Sequence, residues 1–180
     1  MVPRAQLQRR ASLRLATALA ILTLFLAGCP YRRPAPDREF SARVVGIQDG
    51  DTITVLRGAQ QVRIRLYGID CPERGQPFYR RAREFTASQV FGKTVTVEVI
   101  EQDRYGRLVA RVYTPEGVEL NKELVRAGLA WWYQRYAPHE IEFARLEEEA
   151  RASRRGLWSE SSPVPPWEWR AKARAMASRD

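Results

Sequence analysis

From residue 40 to residue 114 the chain alternates apolar and polar residues in five short runs, and this period of two constrains the fold more than anything else in it. The runs are "FSARVVGI", "DTITVL", "QVRIRLYGI", "TVTVEVIE" and "RLVARVYT". Asp49-Gly50, "RGAQ" and "DRYG" (Asp103 to Gly106) separate neighbouring runs with residues suited to tight turns. For Asp49-Gly50 the expected device is the positive φ that a hairpin turn demands. In the third run Val62, Ile64 and Leu66 alternate with Arg63 and Arg65, which puts Arg65 on the face away from the core. The same run is read as one strand ending at Asp70.

A period of 3.6 intervenes only once among these runs. In "PFYRRAREFTASQVFG" the residues Phe78, Ala82, Phe85 and Gln89 or Val90 share a helical face, and Gly92 stands where a helix ends. Two more helices are expected downstream. "NKELVRAG" offers Asn121 as N-cap and Gly128 as terminator, and "PHEIEFARLEEEARASRRG" places Pro138 near the first turn and Gly156 at the end. Five strands and three helices in one domain, residues 39–160, is the resulting architecture.

Ahead of this domain, residues 1–14 hold Arg4, Arg9, Arg10 and Arg14 without an acidic residue. The apolar run that follows falls short of the ~20 residues that span a bilayer, so the pattern is that of an export signal. It closes in "LAGC", Leu26 to Cys29, which resembles the lipobox of bacterial lipoproteins, where the cysteine is acylated. An ordinary cleaved signal with an incidental cysteine is the competing reading; Arg9-Arg10 also hints at twin-arginine export. The expected division is therefore a lipoprotein signal over 1–28, a Pro-rich tether over 29–38, the domain, and a Pro/Trp-rich basic tail over 161–180. Lipidation at Cys29 would anchor the protein to a membrane of the bacterial envelope, on its periplasmic or surface side.

Composition matters mainly for what it excludes. With one His and two Cys, zinc sites built from His and Cys are out of reach. If Cys29 is acylated, Cys71 has no disulfide partner. The net charge of +9, still basic after the first 28 residues are removed, favours polyanionic partners or an anionic membrane surface. Nothing demands a second copy, so a monomer is expected.

Carboxylates and arginines gather near the turns. Asp51 follows the first turn, Asp70 ends the third run, Glu73 lies three residues on, and Arg65 and Arg107 are within reach. Taken singly, Asp51 reads as a solvated turn residue, Asp70 as a strand stop and Glu73 as a loop residue. Together, two carboxylates and a backbone carbonyl offer hard oxygen ligands for Ca²⁺, and two guanidiniums could grip a phosphate.

"DGDT" with "RLYGIDCPE" and "DRYGR" resembles the thermonuclease, or staphylococcal nuclease-like, family over about residues 40 to 158. The resemblance implies a five-stranded OB-fold barrel with three α-helices. It implies Ca²⁺ held by Asp51, Asp70 and the backbone carbonyl of Cys71. Arg65 and Arg107 correspond to phosphate-binding arginines, and Glu73 to the general base. Tyr105 and Tyr136 correspond to positions beside the bound nucleotide, with Arg104, where a Lys is expected, among the substrate contacts. The implied activity is hydrolysis of DNA and RNA, preferably single-stranded, at the 5′ oxygen to phosphorus bond, leaving 3′-phosphates.

Some residues depart from that pattern. Cys71 replaces a Thr, the loop after Glu73 is shorter, and Gln134 stands where a nucleotide-contacting Tyr is expected, with Tyr133 one position away. His139 reads as a surface residue at a helix start; the Cys71 thiol and the Trp131-Trp132 pair read as packing. Two rival readings remain: a non-catalytic OB module that binds nucleic acid, and an envelope adaptor that uses the basic, Trp-rich tail.

Overall fold

The computed structural model describes residues 38–178. The expected export signal, Cys29 and the tether up to residue 37 lie outside the described residues. Among the described residues no helix is long and apolar enough to cross a membrane.

In chain order the strands are β1 (Glu39–Ile47), β2 (Thr52–Arg57), β3 (Gln60–Leu66), β4 (Ile69–Asp70), β5 (Thr94–Gln102), β6 (Leu108–Tyr113) and β7 (Trp131–Trp132). The helices are α1 (Tyr79–Val90), α2 (Leu120–Arg126), α3 (Ile141–Ala152) and α4 (Pro166–Ala177), with a 3₁₀ turn at Gly156–Ser159. Five strands close a barrel in the order β1-β2-β3-β6-β5. Neighbours are antiparallel except β3 and β6, which run parallel. A hairpin cannot join parallel strands, so the long excursion through α1 and β5 is what lets the barrel close.

Alternation delivers the core as expected. Val44, Ile53, Val55, Ile64, Leu66, Val95, Val97, Ala110 and Val112 are all buried. Burying a side chain of this size is worth about 1.5–3 kcal/mol, so the barrel interior carries much of the stability. Helices close its ends: α1 buries Ala82, Thr86 and Val90, α2 buries Leu120, Leu124 and Val125, and α3 buries Phe143 and Leu146. Phe85, expected on the buried face of α1, only packs partly buried against the core, and Thr86 takes its place by donating to the Gly50 carbonyl at 2.6 Å.

Several local expectations are corrected. The third run is two strands, because Gly68 at φ 74° breaks it and leaves Ile69 and Asp70 to pair with Trp132 and Trp131. A Cβ at Gly68 would also lie 2.6 Å from the Phe143 ring. Gly50 supplies room rather than a positive φ: a Cβ there would meet Ala82 Cβ and Cys71 Sγ at 2.8 Å. Asn121 is no cap; α2 begins after Glu119, and Asn121 is wholly buried. Its side chain accepts from Val112 N–H at 3.1 Å and donates to the Tyr67 and Ala110 carbonyls. Pro138 lies outside α3, whose cap is Glu140.

The tail supplies a fourth helix where three were expected. Pro166 sits at the first turn of α4, where a missing N–H costs nothing. Trp167 packs against a second small cluster of Trp131, Ala150, Leu157 and Trp158.

Candidate active site

Strand ends bring the carboxylates together. The Asp51 carbonyl accepts from Leu66 N–H at 2.8 Å, which ties the β1–β2 loop to the end of β3. Its side-chain Oδ2 accepts from Cys71 N–H at 2.5 Å across 20 residues of sequence. Asp51 and Asp70 are 5% and 1% exposed, and both face one guanidinium. Arg65 Nη1 pairs with Asp51 Oδ1 and Arg65 Nη2 with Asp70 Oδ1 at 2.7 Å. The rigid fork of an arginine suits this double grip, which a lysine could not reproduce.

The pair sits in a strained electrostatic balance. Burial raises the Asp70 carboxyl above its usual range, with the Arg65 charge pulling the other way. Burial and the neighbouring Asp51 charge push Asp49 up to about 7. For Arg65, burial works against the charge, but Asp51 and Asp70 outweigh it and hold the guanidinium above its ordinary value. Burial and the Asp51 charge together lift the Cys71 thiol well above its normal value, so it is a neutral packing group.

Two nearly buried carboxylates that share one guanidinium are hard oxygen donors. Among the described residues no group of three or more His, Cys, Asp or Glu side chains is placed to hold a metal ion. Asp51 and Asp70 would thus supply only two side-chain ligands to a hard divalent ion, whose remaining ligands would come from backbone, water or substrate, and their carboxylate oxygens also accept from Arg65, Arg170 and the Cys71 N–H.

Glu73 occupies the loop after β4. Its N–H donates to Gln76 Oε1 at 2.7 Å, and its Oε1 accepts from Arg170 Nη1 at 2.5 Å. Arg107 is set differently from Arg65. Asp103, at the head of the "DRYG" turn, accepts from Arg107 N–H at 3.0 Å and from its Nε at 2.7 Å. Tyr105 and Tyr136 are 62% and 61% exposed. The guanidiniums of Arg104 and Arg107 lie 4.9 and 5.7 Å from the Tyr105 ring centre. Tyr133 stacks on Trp167 at 4.9 Å and meets Tyr136 edge-on at 4.8 Å.

All of these groups line one cavity of about 1310 Å³: Asp51, Arg65, Asp70, Cys71, Glu73, Arg104, Tyr105, Arg107 and Tyr136. Gln134 also lines it. Trp167, Arg170 and Arg174 from α4 were missed by sequence reasoning, although the Pro-initiated, proline-free run and the spacing of the three, which suits one helical face, were available signals.

A closed five-stranded barrel of OB type, carrying paired carboxylates and arginines in an open cavity, defines a protein built to handle phosphate esters. The model of the staphylococcal nuclease homologue family matches residues 63–160, more than half of the chain. An uncharacterized endonuclease of Escherichia coli O157:H7 is 47% identical over 149 residues, covering 83% of this chain and 94% of that protein. A micrococcal nuclease of Shigella flexneri is 42% identical over 141 residues, covering 73% and 81%. An uncharacterized endonuclease of Haemophilus influenzae is 33% identical over 167 residues, covering 92% and 89%. The chain belongs to the staphylococcal nuclease family, and with it to the hydrolases.

Proposed function

We propose that the protein is a Ca²⁺-dependent nuclease that hydrolyses DNA and RNA, preferring single strands, and leaves 3′-phosphates. The observation that carries this reading is the convergence of Asp51 and Asp70 on Arg65, with Glu73 and Arg107 lining the same cavity. Asp51, Asp70 and the Cys71 carbonyl would hold the ion, which supplies positive charge to the phosphate where negative charge develops.

The chain's own groups account for the rest. Arg65 and Arg107 donate to the phosphate oxygens, and their guanidiniums are fixed before substrate arrives, so little reorganisation is needed. Glu73 accepts a proton from the attacking water as the new oxygen–phosphorus bond forms. The bond from phosphorus to the 5′ oxygen breaks, and that oxygen leaves with the electron pair and takes up a proton. Exposed Tyr105 and Tyr136 offer faces for unpaired bases, which a duplex would keep stacked. The protein acts as a monomer, exported and lipid-anchored at Cys29.

The test is release of nucleotides from single-stranded and duplex DNA with Ca²⁺ present. Activity should vanish with chelator and fall ~10²- to 10⁴-fold in Glu73→Gln, the range for loss of a general base. Binding of DNA without cleavage under every divalent ion would instead support the non-catalytic OB module. The adaptor reading fits less well, since the tail's Arg170 is engaged with its own domain.

A further inference from the structure

We infer that Arg170, on α4 and beyond the family-matched segment, is a positioning residue that sets the Glu73 carboxylate for proton transfer; this rests on the nuclease reading above. Glu73 belongs to an irregular loop, and its side chain is 38% exposed. Nothing in such a loop would orient a carboxylate by itself. Among the described residues, Arg170 is the one side chain bonded to it.

The guanidinium spans two acids at once. Arg170 Nη1 donates to Glu73 Oε1 at 2.5 Å and reaches Asp70 Oδ1 at 3.3 Å, while Nη2 donates to Asp70 Oδ2 at 2.8 Å. Asp70 is 1% exposed and already held by Arg65. The loop carboxylate is therefore referred to a fixed point on a strand. Glu73 Oε2 keeps no protein partner among the described residues, which leaves it to take the proton of the attacking water.

A clamp works only if its own support is rigid. Trp167, three residues before Arg170 and so on its side of the helix, stacks on Tyr133 at an interplanar angle of 10° and meets Trp131 edge-on at 5.8 Å. Gln76, which already accepts from Glu73 N–H, donates to the Val164 carbonyl at 3.1 Å. The loop and the start of α4 are thus tied at both backbone and side chain. An arginine satisfies this geometry because its fork reaches two carboxylates in one plane; a lysine offers a single ammonium.

The experiment compares the full chain with Arg170→Ala and Arg170→Lys on single-stranded DNA with Ca²⁺, together with hydrogen exchange of the same proteins. Arg170→Ala should lower kcat about 10- to 100-fold with KM changed less than about threefold, the scale expected for a misplaced reacting group. Arg170→Lys should recover part of kcat. Amides of residues 73–76 should exchange about tenfold faster in Arg170→Ala, with barrel amides unchanged. A rise in kcat would overturn the inference in favour of a blocking contact, and a rise in KM at constant kcat would overturn it in favour of a phosphate contact. Unaltered kinetics would also overturn it. If the unmodified protein cleaves nothing, the nuclease reading fails by itself; unaltered exchange at 73–76 then sinks the clamp as well, whereas faster exchange keeps it.

Discussion

Asp103 shows how much one side chain can do at the edge of a site. Its carbonyl and carboxylate close the "DRYG" turn, accepting from Gly106 N–H at 3.0 Å and Tyr105 N–H at 2.9 Å, and the same carboxylate holds Arg107. Burial acts to raise its carboxyl, but the hydrogen bonds from Arg107 and from the Tyr105 N–H, with the Arg107 charge, together outweigh it and hold the carboxyl below the usual range. A carboxyl depressed in the folded state contributes stability that is present above its unfolded value of about 4 and is lost as pH falls through the folded value. Asp103→Asn should therefore cost at most about 1 kcal/mol near neutral pH, and the gap should shrink as pH falls below the unfolded value of about 4; thermal melts across that range measure it. A pH-independent difference would show that the turn, and not the ion pair, carries the effect. Sequence marked Asp103 as the first residue of a turn. Its second role, the grip on Arg107 four residues further on, was not read from the sequence, because turn preference says nothing of where the arginine side chain points.

At the scale of elements, the barrel strands were legible, as were the ends of α1 and α2, where Gly92 and Gly128 follow the C-cap with positive φ, but the starts of α2 and α3 were not. Period-two patterning is local, so "TVTVEVIE" and "RLVARVYT" announced β5 and β6 with their inward faces. Asn121 was misread because its residue type favours caps; its position in space decides otherwise, since its amide joins α2 to β6 and to the Tyr67 turn. Asn121→Ala would strand the Val112 N–H and the Tyr67 carbonyl in the interior. At about 1–3 kcal/mol for each orphaned group, the variant should lose about 2–6 kcal/mol. Urea unfolding with an unchanged slope would show this as a shifted midpoint. A loss under ~0.5 kcal/mol would mean that water replaces the amide. The tail was read only as a Pro/Trp-rich basic segment; its helix α4 follows Pro166, and Trp167 docks it against Tyr133 and Trp131.

On the scale of the whole molecule, a net charge that falls from +9 to about +5 once residues 1–28 with their four Arg are removed still suits a polyanionic substrate, and the proposed anchor would keep the enzyme at a surface. Cys29→Ser should abolish incorporation of labelled palmitate and move the protein from the membrane fraction to the soluble envelope fraction; a variant that stays on the membrane would refute lipidation as the anchor. The sequence by itself determined the five barrel strands and the stock of carboxylates, guanidiniums and phenols available for chemistry, because side-chain alternation and turn preference act over a few neighbouring residues. Only the tertiary structure decided how these groups meet. Closing the barrel puts Asp51 beside Cys71 across 20 residues, and docking α4 puts Arg170 on Glu73 across 97. Such pairings are set by the packing of surfaces far apart along the chain, and no local period in the sequence records which distant surface each one will bury against.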